Sequence, residues 1–292
     1  MTYGLALSGG SLRGAVHIGI LEVLEEEGLP PQALAGTSAG SIVGSLYAAG
    51  VPPKKIGQIF GLFLPKIPPS QEYIIKPLMA DTMTTKSISW LPLPKGLLKG
   101  DFIESFMEKM IGGITFEELP LPLGVVTADL HTGETVIFTA EKHIPPKPWP
   151  PMTVFQARVP IKEAVRASSA IPGIFTPKTI GARTLVDGGL VSNVPADIVN
   201  ILGAEKIIAV DLGFGVHETE PLKNLIDILL QTYDIMGQRI ANLIAEQHAH
   251  LVLRPQAGCA GLLDFHKIPG FIEKGRICAR ESLEAIKKIA VR

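Results

Sequence analysis

The chain has 292 residues, 46% of them hydrophobic, with 27 basic and 28 acidic side chains and a formal net charge of −1. That length and apolar share suit one large α/β domain with a substantial core, and the charge balance gives no electrostatic reason to bind nucleic acid. The two cysteines, Cys259 and Cys278, form no C-x-x-C pair and sit in no His/Cys cluster, so neither a zinc site nor a disulfide framework is expected.

Tyr3-Gly4-Leu5-Ala6-Leu7 reads as a short buried strand that feeds Ser8-Gly9-Gly10-Ser11-Leu12-Arg13-Gly14. The run from there to Glu27, closed by Gly28, is helical: Val16, Ile20, Val23 and Leu24 recur at helical spacing, and Glu22, Glu25, Glu26 and Glu27 take the other face. Leu34-Ala35-Gly36 ends a second strand, and Ser41 to Ala49 forms a helix stopped by Gly50 with Pro52-Pro53 beyond. Between strand and helix stands Gly36-Thr37-Ser38-Ala39-Gly40, a G-x-S-x-G pattern. Glycines on both sides of the serine permit a sharp strand-to-helix turn, which pushes Oγ outward at a helix N-terminus where an oxyanion can be held. Two βα units in succession predict neighbouring parallel strands with both loops at their carboxyl ends, the usual edge for an active site, where N–H groups of the first loop face Ser38.

The first loop fits other glycine motifs poorly. A phosphate-binding P-loop needs Lys after its last glycine, and Ala15 follows Gly14. A dinucleotide fingerprint needs a glycine where Ser11 stands, and no acidic residue closes the next strand near Leu34.

From Phe60 to Leu98 the chain is rich in proline and large apolar residues, with Lys66, Lys76, Lys86 and Lys95 scattered through it. Residues 60–99 therefore read either as a lid or lipid-contacting insertion beside the elbow, or as a satellite core under the sheet. Gly100 to Met110 is an amphipathic helix, and Leu123 to Asp129 with Glu134 to Thr139 a strand pair joined by His131-Thr132-Gly133. His143 to Pro151 is an ordered, proline-rich surface loop around Trp149.

Farther on, Thr184-Leu185-Val186-Asp187-Gly188-Gly189 is an apolar strand that ends in an acid. Paired glycines let the backbone turn away and leave the carboxylate open to take a proton from a serine, although Asp-Gly is equally a common hairpin turn. Ala196 to Leu202 is a helix and Lys206 to Asp211 another buried strand, so Asp211, followed by Leu212-Gly213, is a rival acid at the same edge. Pro221 to His250 is a long helix whose broad apolar stripe either packs along the sheet or forms a homodimer surface. Leu251-Val252-Leu253 and a terminal helix from Ile272 to Ile289 complete the sheet and its cover.

Taken in this order, the glycine loop Gly9 to Gly14, the elbow Gly36 to Gly40 and the segment Asp187-Gly188-Gly189 resemble the patatin-like phospholipase family, with its G-G-G-x-[RK]-G loop, G-x-S-x-G elbow and D-G-[GA] segment. Further similar stretches are Ala15 to Leu21, Ala167 to Phe175 and Asn193-Val194-Pro195, so the resemblance covers roughly residues 3–212. It implies a three-layer α/β sandwich, a mostly parallel central sheet with helices on both faces, in a single domain over 1–292 whose residues 213–292 add C-terminal helices. It also implies catalytic Ser38 and Asp187, an oxyanion hole of N–H groups from Gly9, Gly10, Ser11, Leu12, Arg13 and Ala39, and motif glycines at Gly14, Gly36, Gly40, Gly188 and Gly189. No metal or cofactor is implied. The activity implied is that of a serine acylhydrolase, a phospholipase A or lipid esterase, acting on phospholipid or other acyl esters through an acyl-enzyme. Ser11 departs from the pattern: where the family has its third glycine, a serine is strained if the position needs φ > 0, and the oxyanion hole shifts with it.

Other arrangements stay open. A Ser-Asp-His triad has His217, His248, His250 or His266 after Asp187, but an α/β-hydrolase elbow follows several strands, on the order of 100 residues into the fold. His17, close to the glycine loop, reads as a packing or hydrogen-bonding residue, and Arg13 as either a loop-orienting group or an attractor of anionic head groups. A lipid-binding or regulatory module with a weakened oxyanion hole keeps the same residues, as does acyl transfer to an acceptor other than water. With no basic n-region ahead of a long apolar stretch, and no run of 18 apolar residues, the location expected is cytoplasmic, with any membrane contact peripheral.

Overall fold

Strand β1 (Tyr3–Leu7) is buried along its whole length, as its unbroken apolar sequence requires of a strand covered on both faces. The computed structural model describes residues 3–63, 95–213, 225–258, 260 and 264–290. Within them β1 is joined by β2 (Ala33–Thr37), β3 (Leu123–Asp129), β4 (Thr135–Phe138), β5 (Thr153–Gln156), β6 (Lys178–Ile180), β7 (Arg183–Asp187), β8 (Lys206–Val210) and β9 (Leu251–Leu253). The sheet order is β5-β4-β3-β2-β1-β8-β9, with β7 added to β3 and β6 to β7. Pairs β1–β2, β2–β3, β1–β8, β8–β9 and β4–β5 are parallel, and β3–β4, β3–β7 and β6–β7 are antiparallel. The fold is thus α/β with a mostly parallel sheet.

The described helices are α1 (Ala15–Glu26), α2 (Ala39–Ala48), α3 (Pro53–Phe63), α4 (Asp101–Ile111), α5 (Ile161–Ser168), α6 (Ala196–Ile201), α7 (Leu225–His248), α8 (Ile268–Glu281) and α9 (Leu283–Ala290). Alternation along β1 divides them between two cores. Tyr3, Leu5 and Leu7 pack in one core with Ile18, Leu46, Val165 and Phe271 from α1, α2, α5 and α8, while Ala6 faces a second core with Ile198 of α6 and Ala241 of α7. Helices therefore cover both faces, and the fully buried Leu5 and Leu7 each contribute about 1.5–3 kcal/mol by leaving water.

Several elements differ from the sequence reading. The terminal helix is two, α8 and α9, broken at Ser282, which lies beyond the last αR residue of α8. The elbow helix starts at Ala39 instead of Ser41, so both residues after Ser38 are already helical. Asp187-Gly188 is not a hairpin turn: Asp187 caps a 3-10 turn, Gly188–Leu190, and its side chain accepts from the Gly189 N–H. Of the segment expected to be a lid or satellite core, residues 64–94 lie outside the described residues. Its return is anchored: Leu98 N–H donates to Ile174 O at 2.8 Å, and the Arg166 guanidinium donates to Lys99 O and Thr176 O.

The Trp149 loop is ordered by its indole N–H, which donates to Pro145 O at 2.9 Å, and by edge contact with Phe155. α7 packs Ala241 and Ala245 inward and leaves Ile228, Leu229, Ile235, Met236 and Leu243 exposed, the face on which the homodimer expectation falls. No described helix is long and apolar enough to cross a membrane.

Candidate active site

One strand brings the serine and the acid together. β4 occupies one edge of β3, so β2 and β7 share the other: Val126 pairs with Thr37, and the next residue, Thr127, pairs with Asp187. β2 runs parallel to β3 and β7 runs against it, so their ends approach head-on, about one 3.3 Å residue step apart. Ser38 leaves the end of β2 and Asp187 closes β7. The sites of both residues are therefore set by backbone pairing before any side-chain contact is made.

At the elbow Ser38 adopts φ 53°, ψ −121°, a conformation that costs a non-glycine residue on the order of 1–3 kcal/mol. Three contacts hold it there. Its N–H donates to Ser168 Oγ at 2.9 Å, Ser168 Oγ donates to Val126 O at 2.6 Å, and Thr37 Oγ1 donates to Ser192 O at 2.7 Å. Gly36 and Gly40 answer to close packing: a Cβ on Gly36 would strike Gly40 O, and one on Gly40 the backbone of Leu7 and Ser8. Gly188 likewise lies against Val126 O.

The glycine loop passes directly over the serine, since a Cβ on Gly9 would lie 3.1 Å from Ser38 Cβ and 2.6 Å from Asn193 Oδ1. Gly14 abuts Ala39, so the 3-10 turn Ser11–Gly14 leading into α1 and the start of α2 converge beside Ser38. Neither α1 nor α2 has an acidic residue in its first turn, which leaves the positive ends of both helices unscreened. Donor by donor, the expected oxyanion hole narrows. Gly9 N–H donates to Asn193 O and Oδ1 at 3.2 and 3.1 Å, and Arg13 N–H to Gly10 O at 3.1 Å, so these two are occupied. The N–H groups of Gly10, Ser11, Leu12 and Ala39 donate to no described group, as befits first-turn amides. Ser11 has φ 52°, the left-handed conformation that the family's third glycine would adopt freely. Arg13 orients the loop: Nη1 donates to Leu212 O at 3.3 Å and Gly213 O at 3.1 Å, and Nε to Gly10 O at 3.4 Å.

Asp187 is 2% exposed. Its Oδ1 accepts from Gly189 N–H at 2.8 Å and from Tyr233 Oη at 3.1 Å, while among the described residues Oδ2 accepts from no group. Burial pushes its pKa up to about 6, against the lowering influence of the Ser38 hydroxyl, Gly189 N–H and Tyr233 hydroxyl. The Ser38 hydroxyl thus favours the charged acid, while among the described residues no hydrogen bond fills Oδ2.

The rival acid is engaged. Asp211 Oδ1 accepts from Gly213 N–H at 2.9 Å, and Oδ2 from Gln238 Nε2 at 3.1 Å and from Arg254 Nε at 3.3 Å. The histidines are elsewhere. His17 is fully buried, donates from Nε2 to Ser8 O at 2.8 Å and is held neutral by burial, its pKa pushed down to about 4. His248 ends α7, His250 Nδ1 accepts from Ile207 N–H, and His266 lies in the 3-10 turn Phe265–Lys267; His217 lies outside the described residues. Among the described residues no histidine hydrogen-bonds to Ser38 or Asp187.

Ser168, Asn193 and Tyr233 are site residues that sequence reasoning did not single out. Ser168 and Asn193 fell within stretches similar to the family, which was their available signal, whereas Tyr233 read only as part of the apolar stripe of a helix.

A family model for patatin-like phospholipases matches residues 5–200, about two thirds of the chain. An uncharacterized NTE family protein of Mycobacterium tuberculosis is 28% identical over 306 residues, covering 97% of this chain and 46% of the relative. The mouse patatin-like phospholipase domain-containing protein 6 is 28% identical over 212 residues, covering 73% of this chain and 14% of the relative. The chain thus spans less than half the length of these curated relatives. In fold it is similar to VipD from Legionella pneumophila, with a TM-score of 0.57 at 14% identity over 97% of this chain and 67% of that one. With its three motifs in order on this α/β frame, the chain belongs to the patatin-like phospholipase family.

Proposed function

We propose that the protein is a serine acylhydrolase that cleaves acyl esters of phospholipids or related lipids through a Ser38–Asp187 dyad. The observation that carries this reading is Asp187 Oδ2, a buried carboxylate oxygen with no donor among the described residues, at a strand end that meets the strained elbow of Ser38 along β3. An ordinary aspartate is a poor base near neutral pH, and burial corrects this by raising its proton affinity. Ser38 Oγ attacks the ester carbonyl as its proton passes to Asp187. The free N–H groups of Gly10, Ser11, Leu12 and Ala39 are the candidates to hold the tetrahedral oxyanion, each engaged donor contributing about 3 kcal/mol. Collapse expels the alcohol, which leaves with the proton from Asp187; water, deprotonated by the same carboxylate, then attacks the acyl-enzyme and releases the acid.

Ser38→Ala and Asp187→Asn are each expected to lower ester turnover by at least about a thousandfold with the fold intact. Covalent labelling by a fluorophosphonate probe should disappear in Ser38→Ala. Full turnover in either variant contradicts the dyad. The lysine-flanked apolar run over 60–99 supports peripheral action at an anionic lipid surface.

A second reading, a lipid-binding module with slow chemistry, has one observation in its favour, the left-handed Ser11 in the loop that would bear the oxyanion. Ser38 that labels with the probe but turns over no short p-nitrophenyl ester would favour it.

A further inference from the structure

Asp187 is gripped from a helix that lies beyond the residues matched by the family model. Tyr233 stands in the third turn of α7, and its hydroxyl donates to Asp187 Oδ1 at 3.1 Å, on the same oxygen that accepts the Gly189 N–H. Two donors on one oxygen fix the rotation of a carboxylate and leave its other oxygen as the sole open acceptor. The surroundings are built for this contact. A Cβ on Gly189 would collide with Tyr233 Oη, so the second glycine of the Asp-Gly-Gly segment makes room for the phenol. Gly237, one turn on, brings α7 close to Gly189 O, and Gln238 ties the same helix to Asp211. We propose that Tyr233 is a positioning residue for the base: its hydroxyl, together with the Gly189 N–H, holds Asp187 by Oδ1 so that Oδ2 is presented to the Ser38 proton.

Tyr233 remains a donor throughout the working range, because burial and then the Asp187 charge raise its pKa well above the ordinary phenol value. The groups acting on Asp187 are Ser38 from the elbow, Gly189 N–H from its own turn, and Tyr233 and Asp234 from α7. Among the described residues, only Asp234 opposes the charged form by repulsion, and the tyrosine hydroxyl is the one side-chain donor not itself a reactant.

The inference rests on the dyad reading, and Tyr233→Phe in the full chain tests it. The readouts are kcat and KM for a short p-nitrophenyl ester, and the rate of Ser38 labelling by a fluorophosphonate probe, both against pH. Loss of the hydroxyl removes a bond that favours the carboxylate, so the acid limb is expected to rise by about one pH unit, with kcat about tenfold lower and KM within about twofold of wild type. Gln238→Leu, which loosens α7 without touching Asp187, is expected to leave the acid limb in place. An unmoved limb and unchanged kcat in Tyr233→Phe, or an equal shift in Gln238→Leu, overturns the positioning role. Asp187→Asn in the same assays separates the two ideas: if it abolishes turnover while Tyr233→Phe does nothing, only the tyrosine falls, and if it retains turnover the dyad falls as well.

Discussion

Asp187 and Asp211 lie at strand ends in nearly the same setting and differ in how their second oxygen is engaged. Each is buried, each accepts an N–H from the residue two positions on, Gly189 at 2.8 Å and Gly213 at 2.9 Å, and each receives a side chain from α7, Tyr233 or Gln238. Asp211 fills its second oxygen with Gln238 and Arg254, whereas Asp187 leaves Oδ2 open. A carboxylate whose oxygens are all engaged by donors fixes α7 and the 251–254 strand end to the sheet. One that is desolvated with a lone oxygen keeps an appetite for a proton. The same backbone device, an acid followed two residues later by glycine, thus gives a carboxylate clamped on both oxygens at Asp211 and one held by a single oxygen at Asp187, the arrangement that the proposed base requires.

The largest expected effect separates the pair on activity: Asp187→Asn should lower kcat by at least about a thousandfold, and Asp211→Asn by less than about tenfold, in steady-state assays of one ester. A large loss in Asp211→Asn with Asp187→Asn spared would reverse their roles. Stability should divide them in the opposite sense. The folded pKa of Asp187, about 6, lies above its ordinary value of 3.8, so the fold favours the protonated acid. That contribution is complete below about pH 4 and is lost as pH rises through about 6, at a cost of about 3 kcal/mol above that range. Asp187→Asn should therefore be more resistant to denaturant than wild type at pH 8 and show no such gain at pH 4. Asp211→Asn should be less resistant at neutral pH, by about 1 kcal/mol, since half-exposed Arg254 regains water when its partner is neutralised.

The elbow, the glycine loop and the acid were legible because their requirements are local. Gly36 and Gly40 must lack a Cβ where the start of α2 crosses the ends of β2 and β1, and such demands mark a sequence directly. The parts that hold the motifs were not legible, because they act across long separations. Ser168 reaches Ser38 from 130 residues away, Asn193 reaches Gly9 from 184, and Tyr233 reaches Asp187 from 46. A tyrosine in an apolar helical stripe satisfies hydrophobic periodicity whether or not its hydroxyl has a partner. The antiparallel direction of β7 was hidden for a similar reason: it is fixed by the long-range pairing with β3, in which Asp187 meets Thr127, while the sequence offered only an apolar run ending in an acid.

Smaller effects test the supports of the comparison. Ser168→Ala removes the bridge from Ser38 N–H to Val126 O and leaves both buried, which should lower stability by about 1–3 kcal/mol in chemical denaturation and reduce kcat more than it alters KM. Ser11→Gly relieves a left-handed serine, a gain of about 1 kcal/mol partly offset by the greater freedom of glycine in the unfolded chain. A rise in kcat in that variant would mark Ser11 as the brake on the oxyanion hole.

The most direct test is the pre-steady-state rate of Ser38 acylation against pH, followed as the burst of p-nitrophenol. An Asp187 base with a pKa near 6 predicts a rate that climbs about tenfold per pH unit below that value and levels above it. It also predicts that the burst is lost in Asp187→Asn and unaltered in limb position by replacement of His217, His248, His250 or His266. A burst that survives in Asp187→Asn, or an acid limb that disappears with one of those histidines, would contradict the dyad.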